Sequence, residues 1–143
     1  RKISHNLVSG ELIKFGLVSA LNQLKETINS TGKLNMQVLS FGMDERLDRS
    51  IEISLYRVVQ ELMNNILKHS KASEVTIQLN KVENNLNIVV EDNGIGFDHD
   101  AALQKNGMGL RNMETRIKQL KGSVVFDTGK GRGTTTIIDI PVE

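Results

Sequence analysis

The sequence predicts an α/β protein, a two-layer sandwich in which helices lie on one face of a mixed β-sheet. Three observations carry that reading. Apolar residues recur at helical spacing over 11–29 and again over 51–66. They alternate at strand spacing over 75–79 and 86–90. Two further alternating runs, 123–127 and 134–140, close the chain around a glycine-rich turn. At 143 residues the chain fits one domain with a substantial core.

Residues 1–10 (RKISHNLVSG) read as the end of a helix stopped by Gly10. Leu12, Phe15, Val18, Leu21, Leu24 and Ile28 then mark one apolar stripe of a helix over 11–29, closed by Gly32. A short strand follows at about 34–40. Asp48 is placed to cap a second long helix. Its core stripe is Ile51, Leu55, Val58, Val59, Leu62, Met63 and Ile66, and its opposite face carries Gln60, Glu61, Asn64, Asn65 and Lys68. Asn84-Asn85 joins the next two strands into a hairpin. The second of them ends on Glu91-Asp92-Asn93-Gly94-Ile95-Gly96-Phe97, where two glycines one residue apart predict a tight, positive-φ turn. Residues 98–107 are polar and aperiodic and read as a mobile loop; 109–120 return to helix, ended by Gly122. The order, a leading helix and then β-α-β-β-loop-α-β-β, is what sets the helices on one side of the sheet.

Composition narrows the function classes. A net charge of +1 gives no bulk attraction for nucleic acid, so none is expected as a partner. Without cysteine there is neither a disulfide framework nor a thiolate metal site, and His5, His69 and His99 lack zinc-ligand spacing. No apolar run approaches the roughly 20 residues of a membrane span, so no membrane contact is expected of this segment. The chain enters in mid-pattern at Arg1 and reads as part of a longer protein, which a segment elsewhere could anchor in the inner membrane. Eight of the 12 glycines lie between Gly94 and Gly133, which concentrates close backbone–ligand chemistry in the C-terminal half.

Four short motifs stand in order: E-L-M-N-N-I-L-K-H at 61–69, D-N-G-I-G at 92–96, G-M-G-L at 107–110 and G-R-G-T-T at 131–135. Glu61 and Asn65 are four residues apart and share a helix face. Their oxygens suit Mg²⁺, a hard cation that takes few protein ligands and keeps several waters. Lys68, a turn further, can meet a phosphate as a point charge. Asp92 at a strand end beside bare backbone can accept hydrogen bonds from a ligand. Each motif alone has an ordinary reading as well: a solvated helix face, an Asx turn, hinge glycines, a hairpin turn.

Together the four resemble the N, G1, G2 and G3 boxes of the Bergerat-type ATP-binding fold shared by sensor histidine kinases, DNA gyrase, DNA mismatch-repair ATPases and heat-shock chaperones. The resemblance spans about Gly32 to the end of the chain. It implies ATP and Mg²⁺ as cofactors, with Asn65 ligating the ion and Glu61 in the catalytic role, holding a water of the ion or assisting proton movement. By the same resemblance Asp92 accepts the adenine amino group, and Gly94 and Gly96 shape the pocket floor. Lys68, His69, Gly107, Gly109, Leu110, Arg116, Gly133, Thr134 and Thr135 complete the nucleotide-binding set, with Arg111 as a further cation of the same helix as Arg116.

The run Asn65-Ile66-Leu67-Lys68-His69 with Gly109-Leu110-Arg111-Asn112-Met113 is similar to the sensor histidine kinases that pair with helix-turn-helix response regulators, as are residues 3–7 and 15–21. That implies a cytoplasmic kinase that passes the γ-phosphoryl group of ATP to a histidine on its own dimerisation hairpin, works as a homodimer and hands the phosphate to a response regulator. Two alternatives use the same boxes: an ATP-hydrolysing switch of the gyrase type, and a serine kinase acting on an anti-sigma-factor antagonist. Ser4-His5-Asn6-Leu7 resembles the start of a phosphoacceptor box but lacks its Arg-Thr-Pro continuation. The interval from His5 to Ile51 is also too short for a two-armed hairpin, whose arms rise 1.5 Å per residue. Residues 1–10 are therefore expected to end that hairpin or its linker, and 11–143 to form the ATP-binding catalytic domain.

Overall fold

The computed structural model describes residues 10–96, 111–129 and 131–142. His5, the expected loop at 98–107, and Gly107, Gly109 and Leu110 lie outside the described residues. The first elements are helices α1 (Gly10–Phe15) and α2 (Leu17–Asn29), strand β1 (Asn35–Phe41) and helix α3 (Arg49–Asn65) with its π-helical extension Ile66–Ser70. The hairpin β2 (Glu74–Val82) and β3 (Asn85–Asp92) follows, then helix α4 at 111–119, and last β4 (Ser123–Gly129) and β5 (Arg132–Pro141).

The five strands form one sheet in the order β1-β2-β3-β5-β4, with β1 parallel to β2 and every other pair antiparallel. The mixed sheet follows from connectivity. Two-residue turns allow only antiparallel neighbours, and the long crossover through α3 returns β2 parallel to β1. Alternation then divides the faces. Met36, Val75, Ile77, Leu79, Leu86, Ile88, Val90, Ile138 and Ile140 are buried and share one core with Leu21, Leu24, Leu55, Val59, Met63, Met113 and Ile117 of the helices. Helices therefore cover one face of the sheet, as the pattern predicts.

Two boundaries differ from the sequence reading. The helix expected over 11–29 is broken at Gly16, not preceded by a stop at Gly10: Gly16 has φ +99, and a Cβ there would lie 2.8 Å from the Arg46 side chain. Gly10 is itself helical, within α1. The break turns Phe15 out of the expected stripe, leaving it 63% exposed. At the far end of α4, Lys121 (φ 63) takes the left-handed position; Gly122 is required because a Cβ would sit 2.5 Å from the Asp139 carbonyl oxygen of β5.

Arg46 explains how α1 is held. Its Nη2 and Nε donate to the Glu52 carboxylate at 2.8 and 3.1 Å, while the guanidinium also reaches the Leu12, Ile13 and Lys14 carbonyls at the end of α1. Glu52 is only 2% exposed and lies in the first turn of α3, where the helix dipole favours a carboxylate.

Candidate functional site

Asp92 is the last residue of β3 and keeps the inward parity of Leu86, Ile88 and Val90, so its carboxylate is buried. Oδ1 accepts the Gly94 N–H at 2.8 Å, and the carboxylate also accepts the N–H of Thr134, its partner across the β3–β5 ladder. Burial pushes the carboxyl above the usual aspartate range; the two N–H bonds pull it back, and the neighbouring Glu91 charge raises it further. A carboxylate offers about four lone-pair positions, so two backbone donors leave acceptor capacity for a ligand.

The turn after Asp92 is fastened from both sides. Asn93 Oδ1 accepts the Ser73 and Glu74 N–H groups at 2.9 Å each, and its Nδ2 donates to Ser73 Oγ at 2.9 Å. Ile95 N–H donates to the Ser70 carbonyl at 2.7 Å, and Gly131 N–H to the Ile95 carbonyl at 2.6 Å. The two glycines of the turn serve different needs. Gly96 has φ +73, whereas Gly94 is needed for close approach: a Cβ on it would lie 2.4 Å from the Ser70 carbonyl oxygen.

Ser70 ends the π-helical extension that carries Lys68 and His69. Its Oγ donates to the Ile66 carbonyl at 2.8 Å and accepts from Ala72 N–H at 3.0 Å, and Lys71 then breaks the helix at φ 56. The helix bearing Glu61 and Asn65 and the turn bearing Asp92, Gly94 and Gly96 therefore meet at one residue. Single π-turns inside α-helices often mark functional sites, because the extra residue re-aims the side chains that follow.

From Leu55 to the end of α3 only Arg57, Glu61 and Asn65 are half-buried among buried neighbours, and Lys68 and His69 are exposed beyond them, in one stripe at helical spacing. Gln60 and Asn64, which the sequence placed on this face, are buried instead. Thr134 is buried on the Asp92 side, with its hydroxyl 2.7 Å from that of Thr128. Gly133 and Thr135 have the opposite parity, so Thr135 points away from Asp92. Gly133 is a close-approach residue, its hypothetical Cβ only 2.0 Å from the Asp92 carbonyl oxygen. Arg116 is half-buried and Arg111 exposed on α4.

Three residues of this region escaped the sequence reading. Ser70 and Asn93 make the joints just described; Asn93 was visible only as a turn former. Arg57 sits one turn before Glu61, half-buried, with a buried Nε that has no hydrogen-bond partner among the described residues. Its signal was the four-residue step back from Glu61. Among the described residues no cluster of three His, Cys, Asp or Glu side chains could hold a metal.

The model of the histidine kinase-, DNA gyrase B-, and HSP90-like ATPase family matches residues 50–143. The signal transduction histidine-protein kinase/phosphatase DegS of Brevibacillus brevis is 34% identical over 99% of this chain and 36% of its own length. The sensor histidine kinase ComP of Bacillus subtilis is 30% identical over 98% of this chain and 18% of its own, and the oxygen sensor histidine kinase NreB of Staphylococcus carnosus is 30% identical over 99% and 41%. The chain thus spans well under half the length of these relatives. Among solved structures, the histidine kinase domain of the Erythrobacter litoralis EL346 blue-light activated kinase superposes with a TM-score of 0.69 at 23% identity, covering 88% of this chain and 65% of that one. The Acinetobacter baumannii histidine kinase AdeS gives 0.68 at 23% identity, over 89% and 64%. At that identity the two structures speak for the fold.

Proposed function

Because the chain belongs to the histidine kinase-, DNA gyrase B-, and HSP90-like ATPase family, we propose that it binds Mg-ATP between α3 and the turn after β3 and directs the γ-phosphoryl group to a histidine on a helical hairpin. The observation that carries this reading is Asp92: a buried, backbone-bonded carboxylate with acceptor capacity to spare, joined through Ser70 to the helix of Glu61 and Asn65. An acceptor-only group of this kind suits the adenine amino group and refuses the carbonyl that guanine presents at the same place.

Asn65 would hold the ion through its amide oxygen, and the ion would supply positive charge against the phosphates. Glu61, a turn earlier, would hold a water or a proton at its carboxylate. Lys68 would place a point charge at the phosphates, His69 would border the nucleotide, and Thr134 would fix Asp92 through its N–H. In the transfer the bond from the γ-phosphorus to the bridging oxygen breaks, ADP leaves with that oxygen, and a bond to the acceptor imidazole nitrogen forms. The chain's contribution is positioning and charge, which is most of what phosphoryl transfer requires. The relatives named as sensor kinases support the further reading that the full protein works as a homodimer with a response regulator as its partner.

Calorimetric titration of the chain with ATP and GTP tests the site. We expect ATP to bind and GTP not, and Asp92→Asn to weaken ATP by the roughly 1–3 kcal/mol of a mismatched buried polar group. Equal binding of the two nucleotides, or an Asp92→Asn variant that binds ATP as the parent does, would overturn it.

A further inference from the structure

The sheet face turned away from the helices should be polar, since strands covered on one side alternate apolar-in and polar-out. Its middle row is not. Strand register aligns Leu39, Gln78, Val89, Ile137 and Val125 across all five strands, four of them apolar. Leu39 and Val125, at the two ends, are 45% and 58% exposed, and Phe41 beside Leu39 is 55% exposed. Single apolar side chains on a surface need no explanation, but three neighbours in a row, Val89, Ile137 and Val125, with Leu39 beyond Gln78, do.

The next row, two residues along each strand and about 7 Å away, reads Gln37, Thr76, Glu91, Thr135 and Asp127. Glu91 and Asp127 flank Thr135 there. With Glu74 they border a hollow of about 420 Å³, which Gly133 leaves unfilled for want of a side chain. On the other side of the apolar row stands Asp139, opposite Asn87 and bonded to its Nδ2 at 3.0 Å. Among its described strand positions the charged residues are thus Glu74, Glu91, Asp127 and Asp139. None of its described strand positions carries Lys or Arg, in a chain with 18 cations to 17 anions.

We propose that this outer face is a docking surface for a cationic amphipathic segment of another protein, whose apolar side chains lie along the Leu39–Val125 row and whose Lys or Arg enters the hollow between Glu91 and Asp127. Charge selects this occupant. A second copy packed face to face would set four carboxylates against four, and an anionic membrane or a nucleic acid would be repelled. The apolar row lies on the side of the sheet opposite α3, while the hollow at its edge also has Asp92 and Asn93 in its lining, so the docked cation would sit behind the Asp92 turn.

The test uses a short synthetic peptide alternating leucine and lysine, and the same peptide with glutamate for lysine, titrated into the chain with methyl NMR as readout. The lysine peptide should shift Leu39, Val89, Ile137 and Val125, lose affinity steeply with salt, and bind about tenfold more weakly to Val125→Lys, as expected when a like charge enters the contact. Val125→Ser, which adds no charge, should weaken it less, and both variants should bind ATP as the parent does. The proposal fails if the glutamate peptide binds as well, if the shifts map to the helical layer, or if either variant binds the lysine peptide unchanged. It also fails if sedimentation shows a dimer and these methyls shift with chain concentration, or if vesicles of acidic lipid capture the chain.

Discussion

A carboxyl group accepts most strongly from an amino group while it is ionised, and Asp92 sits where ionisation is costly. Its pKa is raised, chiefly by burial, so on acidification it takes up a proton before an exposed aspartate would. Two consequences have opposite signs. Protonation turns an acceptor into a donor, so binding of adenosine, which has no phosphate to titrate, should weaken as pH falls through a window lying above the ordinary aspartate range. For stability, the folded state binds this proton more tightly than the unfolded one. Above the native pKa the group therefore subtracts from stability, and that cost is relieved as pH falls through the native value toward the unfolded one. Adenosine titrations and denaturant melts over the same pH range should thus diverge, and Asp92→Asn should remove this group's share of both trends. Parallel trends would assign the titration to another group. Asn65 gives a second prediction at this scale: Asn65→Ala should weaken ATP binding far more with Mg²⁺ than in chelator, and equal losses would mean that the amide serves packing.

At the scale of elements, what was legible in the sequence is what depends on periodicity. The β2–β3 hairpin, the α3 stripe from Ile51 to Ile66 and the closing β4–β5 pair all lie where alternation or helical recurrence put them. What escaped depends on contacts between distant segments. Nothing local to Gly16 says that Arg46 and Glu52 will occupy the space beside it, and nothing near Gly94 announces Ser70. The π-turn at Ile66–Ser70 is invisible for the same reason, because its closure by Ser70 Oγ is a property of the folded turn. Of the candidate site, residue types and order were readable. The splitting of the α3 amides was not, since a five-residue polar cluster cannot tell which members a neighbouring layer will bury. These joints can be tested. Gly94→Ala places a Cβ against the Ser70 backbone and should cost about 1–3 kcal/mol of stability by overpacking. Arg46→Ala strands the buried Glu52 carboxylate and should lower stability, much of it regained with Glu52→Gln in the same chain, because the uncompensated charge is the larger part of the penalty. A double variant no more stable than Arg46→Ala would locate the loss in the α1 carbonyl bonds instead.

For the whole molecule, the question is where the phosphoryl group goes. The segment between His5 and α3 is not spare chain. Leu12 of α1 and Leu17, Leu21, Leu24 and Ile28 of α2 are buried in the same core as the sheet, and Arg46 ties the end of α1 to Glu52. Pulling these side chains out to build a helical hairpin after His5 would expose apolar surface worth roughly 1.5–3 kcal/mol per residue. On the proposed function, the acceptor would then stand on a hairpin separate from this body, which the chain would meet as a partner surface. With radiolabel on the γ-phosphate of ATP, the chain alone should bind nucleotide yet take up no acid-labile phosphate. Adding a helical hairpin that carries the acceptor histidine should produce such label, slowly in trans because the effective concentration of a tethered partner is lost. His5→Gln in the chain should leave that trans reaction intact. Acid-labile label on the chain alone that disappears with His5→Gln would place the acceptor within these residues, and acid-stable label on an added protein would favour the serine-kinase reading over a histidine acceptor.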